Sequence, residues 1–373
     1  MTADLEANRR VLVLAPSLRS VGGVQNYTRT LVDALEVVLG KNCVRMVAVA
    51  EDPKARSGGQ FALRPSVKFR FFVSAVATAV RWSPDLIVCA HVGLAPVARL
   101  IEKLARIPYW LVLYGVEVWG ELPPAKLGAL QHAQRLITIT RFTLDATITR
   151  HHLEKPRFSI LPPTLPKGDP NPPQGKYVEE KNSSRPMVLT VGRIAASERY
   201  KGHDAMLDAW PAVLRSVPDA VYWVAGDGDD RRRLESRARD LGIDDSVRFA
   251  GAVSPEELNV CYDRCCIFAM PARTDLDARA PRGEGFGIVF LEAMAHGKPV
   301  VGPRVGAPAE FIRSGEHGLL VDPLNPGEIA AALVELLEDP TRARQMGAAG
   351  KEWVAREFSF DRFCERLRDA LQT

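Results

Sequence analysis

The chain has 373 residues, 46% of them hydrophobic and 25% charged, with a formal net charge of +4. That balance belongs to a soluble globular protein, and the length exceeds one ordinary α/β core, so two domains are expected. The polar opening MTADLEANRR gives no sign of a signal peptide, and the apolar run FFVSAVATAV at 71–80 is about half of what spans a bilayer.

The overall charge hides an asymmetry. Residues 1–180 carry 23 Lys and Arg against 15 Asp and Glu, a net +8, which leaves −4 for the remainder. A basic first half suits an anionic acceptor or a membrane surface, and suits an ordinary solvated surface equally well. The six cysteines include the string CYDRCC at 261–266, which lacks a second ligand pair at a zinc-like spacing, so reduced structural thiols are expected.

In chain order, RVLVLAP ends in Pro16 and is followed by Gly22, Gly23 and apolar residues at helical spacing, which reads as strand, glycine turn, helix. Further strands are expected at 44–50, 85–90, 109–115 and 135–140, with helical patterns between them. Alternation of this kind argues a parallel sheet covered on both faces. The stretch RPSVKFRFFVSAVATAVRW (64–82) interleaves basic and aromatic residues; its apolar positions serve a membrane-surface helix or, the preferred reading, a core helix. The pattern stops in a segment rich in Pro, Gly and charge, placing a linker at 166–186. Strands resume at 187–193, 220–226, 247–251, 266–271 and 298–302. The domains are therefore expected at 1–165 and 187–355, with a last helical segment at 356–373 that crosses back toward the first domain. The fold class is α/β, two facing doubly wound Rossmann-like domains with the active site in the crevice between them.

Candidate sites follow from local chemistry. Gly22 and Gly23 stand where a strand hands over to a helix, which admits either a phosphate loop or a structural turn. The full G-x-G-x-x-G fingerprint is absent there and at AGDGDD (225–230), which weighs against a dehydrogenase. VGRIAASERYKG (191–202) carries Arg193 and Lys201, two cations able to grip a diphosphate, or simply a solvated basic loop. In RGEGFGIVFLEAMAHGKPVVG (282–302), Glu284 and Glu292 are eight residues apart, too far for a dyad on one helical turn. Helical spacing begins near Ile288, with Val289, Leu291, Met294 and Ala295 as core positions. Glu284 then precedes the helix and Glu292 lies about one turn inside it. Two carboxylates flanking an anion site at a glycine-bared helix start are suited to hydroxyls on both sides of a phosphate. The strings Asp227-Gly-Asp229 and Asp275-Leu-Asp277 are considered as metal ligands and set aside.

The GGVQ turn, the GR…YKG loop and the E-x7-E stretch, in this order within two α/β halves, resemble the family-4 glycosyltransferases of the GT-B fold. The resemblance spans essentially the whole chain and is strongest over 187–325. It implies a retaining, metal-independent transferase without a cofactor, acting on a nucleotide-diphosphate sugar. It places Gly22 and Gly23 near the donor diphosphate, Arg193 and Lys201 on that diphosphate, and Glu284 on the donor sugar. Phe286, Gly287 and Ile288 would offer backbone to sugar and phosphate, Glu292 would accept from the ribose, and Gly251 to Val253 would border the base. Arg193, Lys201 and Glu284 are the catalytic candidates. Many members have a histidine where LVLYGVEVWG has Tyr114. Tyr114, His91 and Glu117 are therefore the acceptor-side candidates, with a structural strand-end role as the alternative for His91. The implied function is hexosyl transfer to a hydroxyl acceptor, a lipid-linked sugar among the candidates, in glycolipid or polysaccharide assembly. A cytoplasmic site is expected, with peripheral contact at the inner membrane surface left open and no nucleic-acid partner. A nucleotide-sugar 2-epimerase and a non-catalytic nucleotide-sugar-binding protein are the rival readings.

Overall fold

The computed structural model describes residues 9–18, 22–50, 65–154, 157–165 and 185–373. The expected linker 166–186 lies outside the described residues except for its last two. Two compact units divide the chain, the first built from residues up to 166 together with 358–373, the second from 167–357.

The first unit holds a six-stranded sheet of β1 (Val11–Ala15), β2 (Val44–Ala48), β3 (Leu86–Cys89), β4 (Tyr109–Leu113), β5 (Arg135–Thr138) and β6 (Phe158–Ile160). All pairings are parallel, in the order β2-β1-β3-β4-β5-β6. Helices α1 (Gly23–Leu39), α2 (Pro65–Trp82), α3 (Ala95–Ala105), α4 (Val116–Trp119), α5 (Pro124–Gln131) and α6 (Arg141–His151) accompany it. The inner strands are buried at every position, which is why they appear in the sequence as continuous apolar runs. Strand β2, at the sheet edge, exposes Arg45, Met46 and Ala48.

The second unit repeats the plan with β7 (Met187–Val191), β8 (Val221–Ala225), β9 (Val247–Gly251), β10 (Ile267–Ala269), β11 (Val300–Pro303) and β12 (Gly318–Val321), ordered β12-β11-β10-β7-β8-β9 and again parallel. Its helices are α7 (His203–Ser216), α8 (Arg231–Asp240), α9 (Pro255–Arg264), α10 (Ile288–Ala295), α11 (Pro326–Glu338) and α12 (Pro340–Glu357). The winding reverses between β7 and β10, and in the first unit between β1 and β3; ligands of open α/β sheets gather at such switch points. The last helix, α13 (Phe360–Gln372), is capped by Ser359 and packs with α1, Phe363 meeting Tyr27 edge-on at 5.7 Å.

Several expectations are corrected. Strands β6 and β12 are absent from the sequence reading. In α10 the buried residues are Phe290, Leu291, Ala293 and Met294, whereas Val289 and Ala295 are half-buried. The helix starts where expected, but its core face is turned by one residue, because Phe290 fills the space against Phe268 and Phe311. Helix α2 has two apolar faces: Phe71, Ala75 and Ala79 are buried, while Phe69, Val73 and Val80 are 65%, 46% and 64% exposed. The choice between core helix and surface helix was therefore not exclusive. Burying a side chain such as Phe71 contributes about 1.5–3 kcal/mol, with Ala75 and Ala79 adding less.

Candidate functional site

The site in the second unit is set by two backbone approaches that only glycine allows. A Cβ on Gly226, at the end of β8, would fall 1.9 Å from the Gly192 carbonyl oxygen, at the end of β7. With Ile194 N–H donating to Asp227 O at 2.9 Å, this seats the start of the Arg193 loop against β8. At its other end, Gly202 takes a left-handed φ of 88°, and a Cβ there would fall 2.3 Å from Pro271 O, just beyond β10. The loop carrying Arg193 and Lys201 is thus anchored on both sides of the switch point. Its middle is pinned electrostatically: Arg199 donates to Asp230 at 2.9 and 2.7 Å, and Arg233 bridges Asp230 to Asp204. The Arg233 hydrogen bonds are the largest cause holding the Asp230 carboxyl well below the usual carboxylate range, with Arg199 adding to them.

On this loop Lys201 Nζ donates to Glu284 Oε1 at 2.5 Å and lies 3.8 Å from Glu198 Oε2. Arg193 pairs with the other oxygen of Glu198. The side chains of Lys201, Glu284 and Glu198 are only 13–15% exposed, whereas that of Arg193 is 78% exposed. Arg193, Lys201 and Glu284, each singled out from the sequence, therefore belong to one connected cluster. Glu198 was missed, since an acid in mid-loop carries no signal of burial.

Glu292 stands one turn into α10, and its Oε2 accepts from the Tyr262 hydroxyl of α9 at 2.8 Å. Burial raises its pKa, against the opposing effect of the Tyr262 hydrogen bond. Tyr262 is itself stacked on His296, which bonds Asp263 at 2.7 Å. Gly287 precedes α10 with a left-handed φ of 90°, and no side chain caps the helix start. Phe286 is buried and stacked on Phe311 at 4.7 Å, leaving Ile288 as the first helical residue. Gly251 ends β9 and accepts from Gly226 N–H at 2.9 Å; Val253 follows, half-buried, before α9.

In the first unit the candidate residues are engaged differently. Gly22 and Gly23 begin α1 beyond β1; among the described residues a Cβ on Gly23 would meet nothing within 4 Å. His91 follows β3 and its Nδ1 accepts from Gly93 N–H at 2.9 Å, capping the short turn Val92–Leu94. Burial, and then the charge of Lys126, push the imidazole down to about 4, so it is neutral. Tyr114, beyond β4, donates to Ala90 O at 3.1 Å, and burial raises its pKa. Glu117 Oε1 accepts from Tyr114 N–H at 2.6 Å; burial raises its pKa too, against hydrogen bonds from three backbone amides.

The D-x-D carboxylates accept from backbone amides, of their own loops or, for Asp229, of the Arg193 loop. Asp227 accepts from Gly228 N–H, Asp229 caps Ala196 N–H at 2.8 Å, and Asp275 accepts from the amides of Asp277 and Ala278. Among the described residues, no group of three or more His, Cys, Asp and Glu side chains gathers where it could hold a metal ion.

A sequence model of the family described as Glycosyl transferases group 1 matches residues 175–353. The chain is 31% identical over 274 residues to a GDP-mannose-dependent monoacylated alpha-(1-6)-phosphatidylinositol monomannoside mannosyltransferase of Corynebacterium glutamicum, covering 70% of this chain and 68% of that one. The chain belongs to the group 1 glycosyltransferases. A GDP-mannose-dependent alpha-(1-6)-phosphatidylinositol monomannoside mannosyltransferase of Mycobacterium tuberculosis is 37% identical over 191 residues, 50% of this chain and 48% of the relative. The match thus spans about half the length of that mycobacterial relative. Among solved structures, the Anabaena HepE protein in complex with UDP superposes with a TM-score of 0.76 at 18% identity, over 97% of this chain and 99% of that one. This likeness shows the fold, GT-B, built from two doubly wound domains.

Proposed function

We propose that this protein is a retaining, metal-independent mannosyltransferase that uses GDP-mannose and a phosphatidylinositol-linked glycolipid acceptor. The observation carrying this reading is the cluster of Lys201, Arg193 and Glu284 at the β7/β10 switch point, with Glu292 one turn into the adjoining helix. The family gives the reaction class, and the names of the relatives supply the sugar and the acceptor.

In this reading Lys201 and Arg193 neutralise charge as the diphosphate departs, which is the largest electrostatic demand of the reaction. Glu284 has a second carboxylate oxygen for hydroxyls of the donor sugar. Glu292, with one oxygen held by Tyr262, offers the other to the ribose hydroxyls. The uncapped start of α10 supplies bare amides to the phosphates. Tyr114 is a poor base, because its pKa is raised and its proton is donated to Ala90 O. A phosphate oxygen of the donor would instead take the acceptor proton, on the face from which the diphosphate leaves. That geometry retains the configuration at the reacting carbon.

A lipid-linked acceptor requires approach to a bilayer, and the outer face of α2 suits one. Phe69, Val73, Ala77 and Val80 form a stripe at helical spacing, with Arg70, Arg81 and Arg45 of β2 beside them around a groove of about 570 Å³. The helix contains no acidic residue. Apolar side chains whose charged neighbours along the helix are cations favour an anionic membrane surface.

The test is turnover on GDP-mannose, UDP-glucose and UDP-N-acetylglucosamine, each with and without phosphatidylinositol monomannoside, before and after exhaustive chelation. Acceptor-dependent release of GDP that survives chelation, with an α-linked product by NMR, is expected. An epimer formed without acceptor, or binding without turnover, would replace this reading by one of its rivals. Loss of activity restored by a divalent cation would overturn metal independence.

A further inference from the structure

The charges at the cation cluster do not suit its proposed ligand as they stand. Arg193 and Lys201 are balanced by Glu198 and Glu284, so the four side chains sum to zero before any diphosphate arrives. The neighbouring His203 adds no cation, since burial and then the Lys201 charge push it down to about 4. Glu284 has a use for its charge in binding sugar hydroxyls. Glu198 has none in the reaction, yet it is the carboxylate placed within ion-pair range of both cations.

Its geometry is that of a stand-in. One oxygen takes Arg193, and the other lies buried 3.8 Å from Lys201, with no hydrogen-bond donor among the described residues. A buried carboxylate oxygen left so is costly, and such an atom accepts exchange readily. The backbone at Glu198 also leaves helical geometry, with φ −118° and ψ 26° inside the turns Ala196–Lys201.

We propose that Glu198 is a resident counter-ion, which holds Arg193 and Lys201 in the empty site and yields them to the donor diphosphate. This rests on the donor reading above. On donor binding both cations exchange Glu198 for phosphate oxygens, and on product release Glu198 reclaims them. Glu198 therefore weakens donor and product together. Such uniform weakening costs affinity and relieves turnover of a tightly held product.

The test is calorimetric titration of wild type, Glu198→Gln and Glu198→Ala with GDP, and with guanosine as a phosphate-free control. Both variants should bind GDP roughly tenfold more tightly, the effect of removing one like charge beside an anion near a protein surface. Guanosine should bind all three alike. In steady state, KM for GDP-mannose and kcat should fall together as GDP release becomes limiting. Unchanged or weaker GDP binding by the variants would overturn the proposal and make Glu198 a brace for the loop. Failure of wild type to bind GDP would remove the donor reading first, and this one with it.

Discussion

Beyond β4 in the first sheet, the Tyr114 hydroxyl donates to Ala90 O, Glu117 accepts from Tyr114 N–H, and His91 beyond β3 accepts from Gly93 N–H. Beyond β7 in the second sheet, Lys201 and Arg193 pair with the carboxylates of Glu284 and Glu198, and Lys201 Nζ also lies 5.5 Å from the centre of the Tyr200 ring. The two sheets share a doubly wound plan, and both sets of residues stand at strand ends near a reversal. The difference lies in the partners. A side chain committed to its own backbone is part of the scaffold, because leaving would strand a buried amide or carbonyl. A side chain committed to another side chain can exchange that partner for a ligand. On the proposed reading, the exchangeable groups are those of the second sheet, and Tyr114, Glu117 and His91 are scaffold.

The largest effect expected from this contrast is at Lys201. Lys201→Ala should lower kcat by about a hundred- to a thousandfold, the loss typical of one well-placed electrostatic contact to a transition state. Arg193→Ala should cost less, since its side chain is 78% exposed and solvent already screens it. Steady-state rates at saturating GDP-mannose measure both. Near wild-type turnover in the two variants would dissolve the distinction between the sheets.

The next effect separates the two glutamates. Glu284→Gln should slow turnover without weakening GDP, because GDP lacks the mannose it holds and the variant removes a like charge beside the diphosphate. Glu292→Gln should weaken GDP and GDP-mannose together, each by roughly ten- to a hundredfold, as expected for a charged hydrogen bond. The charged form of Glu292 is the acceptor, and burial raises its pKa. Wild-type affinity for GDP should therefore fall as pH drops through a value above the ordinary carboxylate range, and Glu292→Gln should lack this limb. Titrations of GDP affinity from neutral pH down through the ordinary carboxylate range would show it. The opposite pairing of variants and ligands would reverse the donor in its site.

Much of this site was legible in the sequence because charged residue types stood beside glycines at fixed offsets. Arg193, Lys201 and Glu284 could be found since glycine and charge at a strand end have few structural uses together. Glu198 could not, for a mid-loop acid next to Arg199 reads as solvated charge. Tyr262 gave no signal either, because its bond to Glu292 joins two helices 30 residues apart. The inner strands were visible as apolar runs, whereas β6 and β12 lie at sheet edges, where β6 is exposed or half-buried throughout and β12 buries only its two end residues. Position-by-position burial on α10 failed for another reason. Eight apolar-rich residues leave the core face undecided until Phe268 and Phe311 are in place.

The smallest effect on activity should come from Tyr114, which tests the scaffold side of the contrast. Its hydroxyl donates to Ala90 O and lies 3.4 Å from Thr28 Oγ1, and its ring meets Tyr27 edge-on at 5.4 Å. Tyr114→Phe keeps the ring contact and removes only the donor, leaving the Ala90 carbonyl without that bond. A neutral buried hydrogen bond contributes about 0.5–1.5 kcal/mol, so thermal unfolding of the first unit should shift by a few degrees at most. Turnover with GDP-mannose and acceptor should stay within about threefold of wild type, as for a change that touches no reacting atom. A hundredfold fall in kcat at an unchanged melting temperature would mean that the hydroxyl leaves Ala90 for the substrate. The first sheet would then hold an exchangeable group of its own, and commitment to backbone would no longer tell scaffold from site.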